Sequence, residues 1–223
     1  MKRLERQDYL NWLIQHKDKQ IIKVVTGVRR CGKSTIFEIY RDYLLSQGIL
    51  PEQIIALNFE NLDYEDRSLY QYVKERLCPD KMNYIFLDEI QHVDAYEKAV
   101  DSLFLRENCD VYITGSNAWF MSGELATLLT GRYAELSMMP LSFAEFCDGL
   151  DEERKSLPLN EKFTQYMETG SFPYVLKYQY APAEAREYMD GIYHTILLND
   201  VVKRLKISDD HRLFTIFEAL KAG

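Results

Sequence analysis

Short apolar runs alternate along the chain with longer stretches in which apolar residues recur every three or four positions. Ile21-Ile22-Lys23-Val24-Val25, Ile54 to Phe59, Tyr84-Ile85-Phe86-Leu87, Val111-Tyr112-Ile113-Thr114 and Ala134 to Met138 have the length and the β-branched and aromatic content of strands. Between them lie helical patterns: Ile36, Ile39, Tyr40, Tyr43 and Leu44, ending near Gly48, then Leu69, Tyr72, Val73 and Leu77, stopped by Pro79. Val100, Leu103 and Phe104 mark a third helix, with Asp94 and Glu97 spaced as a capping box, and Leu125, Leu128 and Leu129 a fourth, closed by Gly131 as a C-terminal cap. Leu4, Tyr9, Trp12 and Leu13 form an amphipathic helix ahead of the first strand. Near-continuous apolar strands separated by helices predict an α/β fold whose strands are mostly parallel and covered on both faces.

Beyond the fifth strand the pattern is helical. Ser142 and Glu145 form a second capping box, and Phe163, Tyr166 and Met167 a helical face. After Gly170-Ser171-Phe172-Pro173, a long pattern through Tyr188, Ile192, Ile196 and Val202 is entered at Pro182, and Lys203, Arg204 and Lys206 suit the negative end of its dipole. The charged run Asp151-Glu152-Glu153-Arg154-Lys155 reads as a solvated linker. The expected division is a core over residues 1–140 and a helical lid or connector over 141–223.

The composition narrows the classes. With 223 residues, 47% of them hydrophobic, the chain can bury a large core. No run approaches the roughly 18 apolar residues of a membrane span, and polar residues follow Met1-Lys2-Arg3, so a cytoplasmic address without a membrane partner is expected. The formal charge of -8 does not indicate a nucleic-acid surface, although a local basic stripe would be compatible with it. Cys31, Cys78, Cys109 and Cys147 lack the spacing of a zinc site or a disulfide framework and suit a reducing compartment. Cys31 starts a helix, where thiols become more acidic, but a small loop residue is the plainer expectation.

Chemistry concentrates at the ends of the predicted strands. Gly27-Val28-Arg29-Arg30-Cys31-Gly32-Lys33-Ser34-Thr35 follows a strand and opens a helix, which is a G-x-x-x-x-G-K-S phosphate loop in its proper setting. Four residues between Gly27 and Gly32 let successive N–H groups face one anion, with the positive helix end behind them. Lys33 then reaches the outer phosphates, Ser34 offers its hydroxyl to magnesium, and Thr35 can bond an inner phosphate. Asp88 and Glu89 end the most apolar strand, where open α/β sheets bind ligands. Asp88 is a candidate magnesium holder through water, and Glu89 a candidate base for an attacking water. His92 follows on the same loop, as a solvated residue or a contact near the γ-phosphate. Asn117 sits past the fourth strand, where it could hold the attacking water or serve simply as a turn residue.

These motifs, with Arg132 between a helix and the fifth strand, resemble the phosphate loop, Walker B pair, sensor 1 and arginine finger of AAA-type ATPases. Leu87-Asp88-Glu89-Ile90-Gln91, Thr114-Gly115-Ser116-Asn117, Gly131-Arg132 and Pro140-Leu141-Ser142-Phe143-Ala144-Glu145-Phe146 more narrowly resemble a bacterial and archaeal AAA family. The resemblance implies a three-layer P-loop NTPase fold with a five-stranded sheet of order 5-1-4-3-2. It also implies ATP rather than GTP, hydrolysis aided by Mg2+, and Arg132 acting in trans within a homo-oligomer, with Arg29 and Arg30 as rivals in cis. A further C-terminal region is expected in that family, so the chain reads as truncated where it would begin or as a natural short form. The activity expected is ATP hydrolysis coupled to a conformational change in an attached or partner domain. A nucleotide-gated binding protein with little hydrolysis is the alternative. A P-loop kinase would want an arginine-rich lid, which the scattered Arg154, Arg186, Arg204 and Arg212 do not form.

Overall fold

Burial separates the central strands from the edges. In the computed structural model, which describes residues 3–60, 68–115, 131–178 and 181–196, β1 (Ile22–Gly27), β3 (Asn83–Asp88) and β4 (Cys109–Gly115) are covered along nearly their whole length. β2 (Ile54–Asn58) and β5 (Tyr133–Met138) expose part of their residues. Every pairing is parallel and the order is β2-β3-β4-β1-β5, the expected 5-1-4-3-2 arrangement counted from the other edge. The strands thus all carry their C-terminal ends to one edge, and the register aligns Gly27 with Met138 and Asn58 with Asp88.

Alternation along the strands divides the core into two chemically different layers. Ile22, Val24, Ile85, Leu87, Val111 and Ile113 pack on one face with Leu69 and Val73 of α3 (Leu69–Lys74) and with Val100 and Leu103 of α4 (Tyr96–Phe104). The other face gathers Val25, Tyr84, Phe86 and Tyr112 against α1 (Gln7–Gln15) and against Ile36, Phe37, Tyr40 and Leu44 of α2 (Lys33–Ser46). Each such burial contributes about 1.5–3 kcal/mol. Aromatic geometry adds to the second layer: Phe37 meets Phe86 edge-on at 5.2 Å, and Phe86 stacks on Tyr112 at 4.8 Å.

Lys23 breaks the apolar pattern of β1. Its ammonium is fully buried, donates to the Lys19 carbonyl at 2.7 Å and pairs with Asp110. Asp110 also accepts from the Tyr112 hydroxyl at 2.7 Å and the Asp18 amide at 2.9 Å, and Tyr112 meets Tyr40 of α2 at 2.9 Å. Burial pushes Lys23 down and Asp110 up, each opposed by the other's charge.

One local expectation fails and another gains detail. α4 begins after Ala95, in left-handed backbone and with no side-chain cap, so the Asp94 and Glu97 spacing forms no box. The charged run 151–155 holds a short helix, α6 (Glu152–Lys155), with no residue of that helix buried, because Asp151 accepts from the Arg154 amide at 2.9 Å. The Ser142 box does form at α5 (Phe143–Gly149): the Ser142 amide donates to Glu145 at 2.8 Å and the Glu145 amide to the Ser142 hydroxyl at 3.3 Å.

The chain divides into two compact units, Met1–Gly149 and Leu150–Gly223. In the second, α7 (Leu159–Thr169) stops at Gly170, whose φ of 85° suits only glycine well, and α8 (Pro182–Ile196) starts at its proline. α8 is the long helix expected from Pro182, and its continuation through Val202 to Lys206 lies outside the described residues, as do the helix expected around Leu125 and Asn117. Among the described residues no helix is long and apolar enough to cross a membrane.

Candidate functional site

Gly27 ends β1 with a φ of 150°, and a Cβ there would lie 2.4 Å from the Met138 carbonyl oxygen and 2.9 Å from the Cys31 sulfur. Only glycine lets the chain turn so close to β5. The loop closes with Arg30 at φ 63° and Gly32 at φ 107°, the latter capping α2. Lys33, buried, folds back across the loop and donates to the carbonyls of Gly27 at 3.2 Å and Val28 at 3.4 Å. Its ammonium stands 3.5 Å from Glu89 Oε1, which joins the loop to the acidic pair.

Asp88 and Glu89 are held differently. Asp88 is the last residue of β3 and accepts from Thr114 of β4 at 2.5 Å and from Asn58 of β2 at 3.1 Å. Burial pushes its carboxyl up, while hydrogen bonds from Thr114 and Ser34 pull the other way. Glu89 has left the strand at φ 53°; its amide donates to Thr114 Oγ1 at 2.9 Å, and its Oε2 accepts from Gln91 at 2.6 Å. The left-handed turn, rather than strand alternation, aims this carboxylate at Lys33.

The remaining expected residues are scattered. Ser34 is brought to Asp88, whereas Thr35 and Arg30 are exposed, Val28 is 39% exposed, and Arg29 pairs with Glu60 at 3.0 Å. Cys31 is fully buried, and burial pushes its thiol up against the pull of Lys33 and Arg6, so helix-end acidity does not make it reactive. His92 is exposed. Arg132 stands at the opposite edge of the sheet, just before β5, where it pairs with Asp101 at 2.5 Å and lies over the Phe104 ring. Five residues of strand separate it from Met138 beside the loop, a rise of roughly 20 Å.

Asn58, Thr114, Gln91 and Arg6 touch the site, although the sequence assigned none of them a role there. Asn58 and Thr114 carried a usable signal, since each is a polar residue near the carboxyl end of an apolar strand. A cavity of about 130 Å³ opens beside Ser34 and Asp88, with Glu38, Arg41 and Asn58 on its wall.

The profile of the AAA domain family matches residues 19–147, more than half of the chain. The chain belongs to the AAA family. This AAA protein is similar to an uncharacterized protein of Haemophilus influenzae, 40% identical over 218 residues that cover 96% of this chain and 54% of that protein. It is also 30% identical to an uncharacterized protein of Methanocaldococcus jannaschii, over 83% of this chain and 43% of the other. The AAA chain therefore spans about half the length of the curated relatives it matches. Its fold is similar to the Walker-type ATPase of Pyrococcus abyssi, with TM-score 0.54 and 15% identity over 92% of this chain and 77% of that one. PCH-2 of C. elegans is similar at TM-score 0.50 and 14% identity, over 85% and 67% of the respective chains.

Proposed function

We propose that the protein binds ATP with magnesium across the carboxyl edge of its sheet and hydrolyses it, driving a change in an attached or partner domain. The observation that carries this reading is the meeting of Lys33 with Glu89 at 3.5 Å, which puts the phosphate loop and the acidic pair in one site. Gly27 and Gly32 shape the loop so that backbone amides from Val28 to Ser34 can surround phosphates, and Lys33 exchanges its carbonyl partners for phosphate oxygens.

The donor set fits magnesium: one hydroxyl, Ser34, beside one carboxylate, Asp88, with the adjoining cavity able to hold waters. Among the described residues no group of three His, Cys, Asp or Glu could hold a metal alone, so phosphate oxygens would complete the shell. When bound, the ion would neutralise charge developing on the phosphates. Thr114 and Asn58 fix the Asp88 carboxylate toward Ser34. Glu89, steadied by Gln91, takes a proton from water as its oxygen forms the bond to the γ-phosphorus and the bond to the β-γ bridging oxygen breaks.

Arg132 cannot reach the loop of its own chain, which supports its acting on the nucleotide of a neighbouring copy. The same placement supports a second reading, in which an isolated chain binds ATP but turns it over slowly or not at all. Equilibrium binding and steady-state phosphate release on Glu89→Gln test the site. Unchanged nucleotide affinity with turnover reduced at least about 100-fold is expected. Undiminished release would remove Glu89 from the reaction, and absence of nucleotide binding by the unmodified protein would overturn the reading itself.

A further inference from the structure

Arg6 precedes α1 by a single residue and is far from the phosphate loop in sequence, yet its side chain is only 5% exposed and reaches that loop. Its Nη1 donates to the Cys31 carbonyl at 2.9 Å. Nε and Nη2 grip both oxygens of Glu145, at 2.8 and 3.0 Å, and Nη2 also bonds the carbonyls of Met139 at 2.9 Å and Pro140 at 3.3 Å. The Tyr9 ring lies 4.5 Å from the guanidinium, and its hydroxyl accepts from the Met139 amide at 3.2 Å. The Arg6 backbone sits at φ 43°, a region that non-glycine residues seldom occupy, so the surroundings hold it there.

The contact with Cys31 bears on the chemistry of the loop. In a trans peptide the carbonyl and the following N–H point in opposite directions. Drawing the Cys31 oxygen toward Arg6 therefore turns the Gly32 N–H away from Arg6. Gly32, at φ 107°, is the residue for which a flip of this peptide is sterically easiest. The guanidinium supplies what the glycine lacks, a fixed direction.

We infer that Arg6, oriented by Glu145, is a positioning residue that locks the Cys31–Gly32 peptide with its N–H turned into the phosphate site. The inference rests on the nucleotide reading above and adds a residue to it. Since the lock acts on a ground-state contact to phosphate already present before reaction, losing it weakens binding of ADP and of a non-hydrolysable ATP analogue alike and leaves turnover at saturation nearly intact.

Calorimetric titration of the full chain with magnesium and each nucleotide, well below the thermal midpoint, decides it. Arg6→Ala is expected to weaken both nucleotides on the order of tenfold, with kcat within about twofold of the unmodified value. Arg6→Lys, which keeps the charge but cannot make the fork, and Glu145→Gln should fall between the two. These milder variants carry the test if Arg6→Ala does not fold. Unchanged affinity in them, whatever their midpoints, overturns the inference while leaving the nucleotide reading intact. Failure of the unmodified chain to bind either nucleotide overturns both.

Discussion

A methyl group at Gly27 would meet a backbone oxygen of β5 at 2.4 Å, and that oxygen cannot swing aside as a side chain can. Gly27→Ala must also adopt a φ of 150°. The variant is expected to lose nucleotide binding and at least about 1–3 kcal/mol of stability, checked by titration and chemical denaturation. At this scale the sequence was most informative where one residue's chemistry depends on its chain neighbours. The loop from Gly27 to Thr35 and the pair Asp88 and Glu89 were legible because spacing and strand position alone define them. Arg6 was not, because its partner Glu145 is 139 positions away and nothing local distinguishes it from a surface arginine. Gln91 was equally hidden, since its value comes from the left-handed turn at Glu89, which strand periodicity does not reveal.

Helices and strands were legible where burial enforces a period, and less so where a single bond sets an end. The failed box before α4 and the helix at Asp151 both depend on whether one side chain finds one amide. Lys23 and Asp110 show the same limit inside the sheet: the strand is visible in its apolar neighbours, the buried pair is not. Asp110→Ala would leave an ammonium without its carboxylate in a fully covered position. It should destabilise the protein by about 3–5 kcal/mol and lower the thermal midpoint by about 6–20 °C, measured by calorimetry. α5 gives a pH dependence of known sign. Burial opposes charge on Glu145, but bonds from Arg6 and the Ser142 amide outweigh it and hold the carboxyl below its ordinary range. A lowered folded pKa contributes stability that is complete above the unfolded value, about 4.3, and lost as pH falls through the folded one. The gap in midpoint between the unmodified protein and Glu145→Gln should therefore be widest near neutrality and narrow as pH falls below about 4.3.

For the molecule as a whole, the parallel sheet places its two arginine-bearing ends apart. The loop with Arg29 and Arg30 lies at the carboxyl edge of the strands, Arg132 at the amino edge. If hydrolysis needs Arg132 from a neighbour, Arg132→Ala and Lys33→Ala should each be inactive alone. Mixed, they should regain measurable phosphate release, because one keeps the loop and the other the arginine. An arginine finger is worth about 10³ to 10⁵ in rate, so even partial recovery would be detectable. No recovery would remove the support for a shared site. The fold and its sheet order were legible because the resemblance to AAA proteins carries a topology, whereas the relation between copies depends on surfaces a single chain does not specify. The pairing of Arg132 with Asp101 on its own α4 then acquires a meaning for assembly. A solitary subunit keeps its arginine parked against itself, and since such an exposed pair is worth no more than about 1 kcal/mol, handing that cation to a newcomer would be nearly free of penalty.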